Sequence, residues 1–306
     1  MGDNEKEERG FVKTRFEHWN DLSLLNPSFL KAFVFRGQGI SDWHIKSSLE
    51  RLIERFYKNG TQKRIYPAGF EADMLNDFRW KYPNYESSII PAEDEMIEWL
   101  SIMQHYGSCT RMVDFTFSPY VALFMAIDSS EGEKDCTVWC LNHLVLSGKF
   151  SEEHHTEREN LLFDNPNRKS TIYNYANQVL AESVNEKKRD FHPYVYLVRP
   201  CKVNERIIRQ QGLFAIPERI DIPFEDNLLA MVENKDPKEL PISEIIDYSN
   251  SEKRRFPNDY VLIQMDIPAC FRYEITKALY LMNMTAESLY PDLTGLAKSE
   301  NYQRYF

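Results

Sequence analysis

Arg36, His105, Arg111, Asp114, Thr116, Arg206 and Gln210 are residue types that can bind and transform a charged substrate. Each stands near a glycine or at an expected strand end. Arg36 lies in Phe35-Arg36-Gly37-Gln38, where a planar guanidinium can grip an anionic group through two parallel hydrogen bonds. The glycines that follow allow a turn and the close approach of a ligand. Asp114, with His105 and Arg111 as neighbours, offers a carboxylate. Thr116 and Ser118 stand at the entry of a helix, whose N-terminus favours anions. Gln210 or Gln211 would face the same space from a later strand.

Each of these residues also has a structural reading. Arg36 could pair with Asp114 and lock the first strand to the centre of the chain, because buried arginines are usually paired. His105 at the end of a helix could serve the helix dipole as well as act as acid or base. Arg111 and Asp114 could form a local ion pair, and Gln210 and Gln211 could satisfy loop carbonyls. Phe33, Phe35, Phe115, Phe117, Phe124 and Phe214 read as core.

The elements that must position these groups follow from periodicity and caps. Lys13 to Leu25 reads as an amphipathic helix with Phe16, Trp19 and Leu22 on one stripe, ended by Asn26-Pro27. Lys31 to Phe35 reads as a short strand delivering Arg36 at its end. Helices are expected over Ser47 to Lys58, Gly69 to Lys81 and Pro91 to about His105. Another begins at Ser118-Pro119, with Ser118 as N-cap; its run Val121-Ala122-Leu123-Phe124-Met125 marks it as buried. Strands are expected at Cys136 to Leu146, Tyr194 to Val198, around Gly212-Leu213-Phe214, and at Tyr260 to Ile267. Pro268 opens a helix to about Met282. The polar stretch of about 150–190 reads as a lid or insertion. No repeat or linker divides the chain, so the expectation is one α+β domain over 1–306, with a helical leader at 1–30 and a core at about 31–297.

The formal net charge of −10 and pI of about 5.3 have the wrong sign for a chain that holds DNA chiefly by its phosphates. Local basic runs occur at Lys187-Lys188-Arg189 and Lys253-Arg254-Arg255. No apolar run approaches the ~20 residues that span a bilayer, and five cysteines form no disulfide framework. A reducing cytoplasm fits. Cys136, Cys140 and His143 read as strand residues rather than zinc ligands, and no metal is expected.

Further blocks accompany Phe35-Arg36-Gly37-Gln38. They are Gln104-His105-Tyr106-Gly107, Thr110-Arg111-Met112-Val113-Asp114-Phe115-Thr116, Ser118-Pro119 leading into Ala122-Leu123-Phe124, then Arg206, Gln210, Gly212 and Phe214, and last Leu289-Tyr290-Pro291-Asp292-Leu293. In this order, from about Phe33 to Ala297, they resemble the FRG domain family of bacteria and their phages. That resemblance implies a part in antiphage defence or bacterial conflict.

The succession of strand Arg, Thr/Ser strand feeding an Ala-rich helix, and later Arg/Gln strand also resembles the ADP-ribosyltransferase superfamily. It implies small mixed or antiparallel sheets flanked by helices, an ADP-ribosyltransferase-like core with helical insertions, and NAD as substrate. Arg36, Asp114, Thr116 and Gln210 would then be catalytic. Arg36, Gly37, Gln38, His105, Arg111, Thr116, Ser118, Arg206 and Gln211 would bind NAD. A Gln-x-Glu pair at the third strand is absent: Glu205 precedes it and Glu218 follows it. The acceptor would be a protein or a nucleic acid, and a neutralising antitoxin would restrain the toxin or a phage-derived trigger release it. The alternative is a noncatalytic sensing module that recognises a phage protein or a nucleotide.

Overall fold

The computed structural model describes residues 10–61, 64–86, 90–154, 171–184, 191–202, 204–251 and 260–303. In chain order the elements are β1 (Gly10–Arg15), α1 (Asp21–Leu24), α2 (Pro27–Leu30), β2 (Phe33–Gln38), α3 (Ser48–Lys58), α4 (Pro67–Lys81), α5 (Met96–His105), β3 (Val113–Thr116), α6 (Pro119–Asp128), β4 (Cys136–Asn142), α7 (His143–His154) and α8 (Thr171–Val184). There follow β5 (Val195–Val198), α9 (Glu205–Arg209), β6 (Gly212–Pro217), α10 (Phe224–Leu229), β7 (Asn234–Glu239), α11 (Ile242–Asn250), β8 (Tyr260–Ile267), α12 (Arg272–Leu281), α13 (Ala286–Leu289) and α14 (Leu293–Gln303). Fold class is mixed α and β, as the sequence indicates. The strands form one sheet of 8, in the order β5-β6-β3-β2-β4-β8-β1-β7. Its β5-to-β8 portion is antiparallel, and β1 joins β8 and β7 in parallel.

The sheet is almost divided between β2 and β3. Phe35 opposite Thr116 is the only residue pair that joins them. Beyond it β2 continues along β4 and β3 along β6, so the two strands part at Arg36 and Asp114. One hydrophobic cluster contains Trp99, Leu100 and Tyr196, and a second contains Phe33, Phe35, Ala122 and Ile263.

Gly37 and Gly39 fit β2 to α6. A Cβ at Gly37 would lie 2.0 Å from the Ala122 carbonyl, and one at Gly39 would lie 1.9 Å from the Ser129 carbonyl. Any side chain there would drive the helix off the strand. Backbone packing, rather than a turn, requires these glycines. Arg36 accordingly sits inside β2 and not at its end.

Four sequence expectations change. Residues 13–25 are not one helix: Gly10–Arg15 is a strand, with Phe11, Val12 and Thr14 buried because both neighbouring places in the sheet are filled. Trp19, placed on the supposed apolar stripe, is 42% exposed. Strand β4 stops at Asn142, whose side chain accepts from the Leu144 and Val145 amides and so starts α7. Helix α5 starts at Met96 rather than Pro91, after a turn closed by the Ala92 amide on Glu95.

Within the stretch read as a lid or insertion, α8 packs one face into the core. Helix α8 buries Ile172, Tyr173, Ala176, Val179 and Leu180, and Asn177 holds the Ile97 amide at 3.1 Å. The rest of that stretch (155–170 and 185–190), with Lys187-Lys188-Arg189 and Lys253-Arg254-Arg255, lies outside the described residues.

Candidate functional site

Where β2 and β3 part, an open cleft of about 900 Å³ is lined by Arg36, Gly37, Gln104, His105, Asp114, Asp128, Arg206, Gln210 and Tyr290, among others. Strand separation explains its floor. The Asp114 carbonyl faces the gap between the strands, and Arg36 Nη1 donates to it at 2.9 Å. The bond goes to the backbone, so the Arg36 guanidinium does not consume the Asp114 carboxylate. Arg36 Nε is buried and has no hydrogen-bond partner among the described residues. Burial pushes the Arg36 pKa down, Asp114 opposes this, and Arg51 adds to it.

Asp114 is held from the other side. Gln104 Nε2 donates to Asp114 Oδ1 at 2.7 Å, while Gln104 Oε1 accepts from Thr110 Oγ1 at 2.5 Å. The Asp114 carboxylate, which only accepts, takes the amide NH2 of Gln104, and the Thr110 hydroxyl donates to the other end. Solvent reaches Asp114 through the cleft, yet protein surrounds it on its other sides. That burial raises its pKa above the ordinary carboxylate value, and Arg36, Arg206, the Gln104 bond and Arg51 oppose the rise.

His105 ends α5 and is exposed on the cleft rim. Burial by its surroundings and the charge of Arg206 lower its pKa, with Asp292 opposing. The Arg206 guanidinium lies over the Tyr290 ring, 4.9 Å from its centroid, and Lys298 Nζ is 5.3 Å from the same centroid. Lys298 also pairs with Asp128 at 2.9 Å. Gln210 Nε2 donates to the Leu289 carbonyl at 3.1 Å, which brings the late Leu289-Tyr290 block onto the turn before β6.

The cleft thus brings together Arg36, Gly37, His105, Asp114, Arg206 and Gln210. Other residues expected there have different work. Thr116 is buried, donates to the Gln210 carbonyl at 2.6 Å and accepts from the Ser118 amide at 3.0 Å. Ser118 caps α6 through the Val121 amide. Gln211 takes a left-handed φ of 48° and its carbonyl accepts from the Phe117 amide. Gln38 is buried and holds the Trp43 carbonyl at 2.5 Å.

Arg111 is 1% exposed. Its Nε binds Glu71 at 2.6 Å and its Nη2 binds Ser183 at 3.1 Å, so it joins α4 and α8 rather than facing a ligand. Gln104, Asp128 and Tyr290 were not singled out as site residues. Gln104 and Tyr290 lie inside the motif blocks, whereas Asp128 gives no local signal. Among the described residues no group of three His, Cys, Asp or Glu could hold a metal ion, and no helix is long and apolar enough to cross a membrane.

Neither a search of curated proteins nor one of solved structures gives a match. A family model for the FRG domain matches residues 31–135. That stretch supplies Arg36, Gly37, Gln104, His105, Asp114 and Asp128 to the cleft, while Arg206, Gln210 and Tyr290 come from beyond it. Most of the cleft, including both groups fixed at the parting strands, therefore belongs to residues 31–135, the segment that matches the FRG domain model.

Proposed function

We propose that the chain transfers ADP-ribose from NAD, and that the cleft between β2 and β3 is where it does so. The observation that carries this reading is the pairing of Arg36 with Asp114 at the parting strands. The arginine keeps an unpartnered buried donor, and the acid is oriented by Gln104 yet left with free acceptor capacity. Arg36 and Arg206 would take the diphosphate, and the half-buried Tyr290 would offer an edge or face to a ring.

The β2, β3 and β6 strands required by this reading are consecutive neighbours in the sheet. No acid stands on β6. Glu218 beyond it is buried and bonded to the Tyr196 hydroxyl and the His192 amide, and Glu205 pairs with Arg209 at 2.5 Å. Asp128 is tied to Lys298. Asp114 is then the acid for the chemistry. As the bond from ribose C1′ to the nicotinamide nitrogen breaks, its electron pair leaves with neutral nicotinamide. The Asp114 carboxylate stabilises the cationic sugar carbon, and the acceptor gives a pair to C1′ and a proton to the carboxylate or solvent.

In the setting that the family resemblance implies, this would be a cytoplasmic effector of antiphage defence or bacterial conflict, restrained by an antitoxin or released by a phage trigger. Incubation with labelled NAD and a bacterial lysate tests it. Label transfer and nicotinamide release are expected, both lost in a folded Arg36→Ala protein. If the wild type consumes no NAD, the reading fails. A noncatalytic binding module would then stand, favoured by the missing acid on β6.

A further inference from the structure

Arg36, Gln104 and Asp114 are a wall shared by two basins. Beyond the wall, Lys46, Ser48, Arg51, Ser108 and Cys109 line a second basin of about 470 Å³, open to solvent. The first basin carries acids as well as arginines, Asp114 and Asp128 beside Arg36 and Arg206. The second does not balance: Arg36, Lys46 and Arg51 face Asp114 alone. This is a local reversal on a chain of net charge −10. Lys46 is tied to Glu54, so Arg36 and Arg51 are the cations with donors to spare. Arg51 uses Nη1 on the Lys46 carbonyl at 2.6 Å, a bond that turns its guanidinium toward the start of α3 and holds it there. Its charge is felt at the wall, where it acts on both Arg36 and Asp114.

We propose that this second basin is an anion subsite for a phosphate-bearing acceptor: a free nucleotide, or the phosphorylated end of a short single strand. The open fork of Arg51, beside the charge of Arg36 in the wall, suits a phosphate and repels the arginine or lysine side chains of a protein acceptor. The chain's overall negative charge disfavours long duplexes and leaves a compact anion as the ligand that fits. Anion binding stands on the basin itself, and the role of acceptor rests on the transferase reading. In that role the acceptor's hydroxyl or amino nitrogen gives an electron pair to ribose C1′ across the wall. The pair of the breaking C1′–N bond leaves with nicotinamide, and the acceptor proton passes through the Asp114 carboxylate to solvent.

Cys109 is a reporter built into this basin. It is half-buried, Cys136 and Cys140 are buried, and Cys201 and Cys270 are exposed. In the full chain carrying Cys201→Ser and Cys270→Ser, the alkylation rate of Cys109 is measured with AMP, a 5′-phosphorylated single strand, adenosine or arginine amide. AMP at about ten times its Kd should slow alkylation about tenfold by mass action, and adenosine and arginine amide should not. Protection by the oligonucleotide as well as AMP assigns the source to nucleic-acid ends; protection by AMP alone assigns it to free nucleotides. Arg51→Gln should abolish protection and Arg51→Lys should keep part of it. Equal protection by adenosine, protection that survives Arg51→Gln, or none by any phosphate compound overturns the proposal. If saturating NAD displaces AMP, the basin holds the donor's own diphosphate and the acceptor assignment falls. NAD consumption is read in the same samples: protection without consumption keeps the anion subsite and sinks the transferase reading.

Discussion

Asp114 carries opposite demands. Its carboxylate must be ionised to stabilise a sugar cation, while its surroundings raise its pKa. With the folded pKa above the unfolded one, the native state binds the proton more tightly. The ionised acid therefore costs stability, and that cost grows as pH rises from the unfolded value through the folded one. Asp114→Asn keeps an acceptor for Gln104 and removes the charge. It should lower turnover by about 10²–10³-fold, the scale for one electrostatic group at a reacting centre, while its Tm at neutral pH is no lower than wild type. Wild-type turnover should fall as pH drops through the same raised window. A lowered neutral Tm in Asp114→Asn would show the carboxylate to be structural.

Arg111 makes the opposite case. Removing it leaves Glu71 charged, fully buried and without its cation, so Arg111→Ala should cost about 3–5 kcal/mol in denaturant unfolding. From sequence, Arg111 and Arg36 look alike, since both are arginines near glycine and aspartate. Only the position of Glu71, forty residues away in α4, separates a buried strut from a ligand-facing cation.

At the scale of elements, α6 and β2 are pressed together until backbone meets backbone. Gly37→Ala should destabilise by at least about 1–3 kcal/mol, the range for overpacking, because the atoms it meets are main chain and cannot swing aside. Thermal unfolding checks this. A neutral substitution would mean that the glycine serves the cleft and not the helix. The α6 start was legible because Ser118-Pro119 is a local cap, and α3 through Leu49, Leu52, Ile53 and Phe56 on one stripe; the structure adds a reciprocal capping box of Ser47 and Glu50. The error at 13–25 has the same origin in reverse. Phe16 and Leu22 are buried at helical spacing, but parallel pairing to β8 and β7 fixed Gly10–Arg15 as a strand, and such pairing leaves no local mark.

At the scale of the whole molecule, α8 decides what the middle of the chain is for. Its buried face packs with α5 and β5 in the core, so hydrogen exchange of its amides should be as slow as that of β5. Exchange near the free-peptide rate would restore the lid. The sequence by itself determined the mixed fold class, the starts of α3 and α6 and the motif blocks, because caps, periodicity and short residue strings act within a few positions. Tertiary structure alone decided that β2 and β3 part after one residue pair, that Tyr290 returns from the far end to Arg206, and that Thr116 supports the cleft rather than lining it. Those outcomes depend on contacts between residues about 80 to 170 positions apart. Which polar groups are left free in a cleft depends on which partners the rest of the fold has already taken.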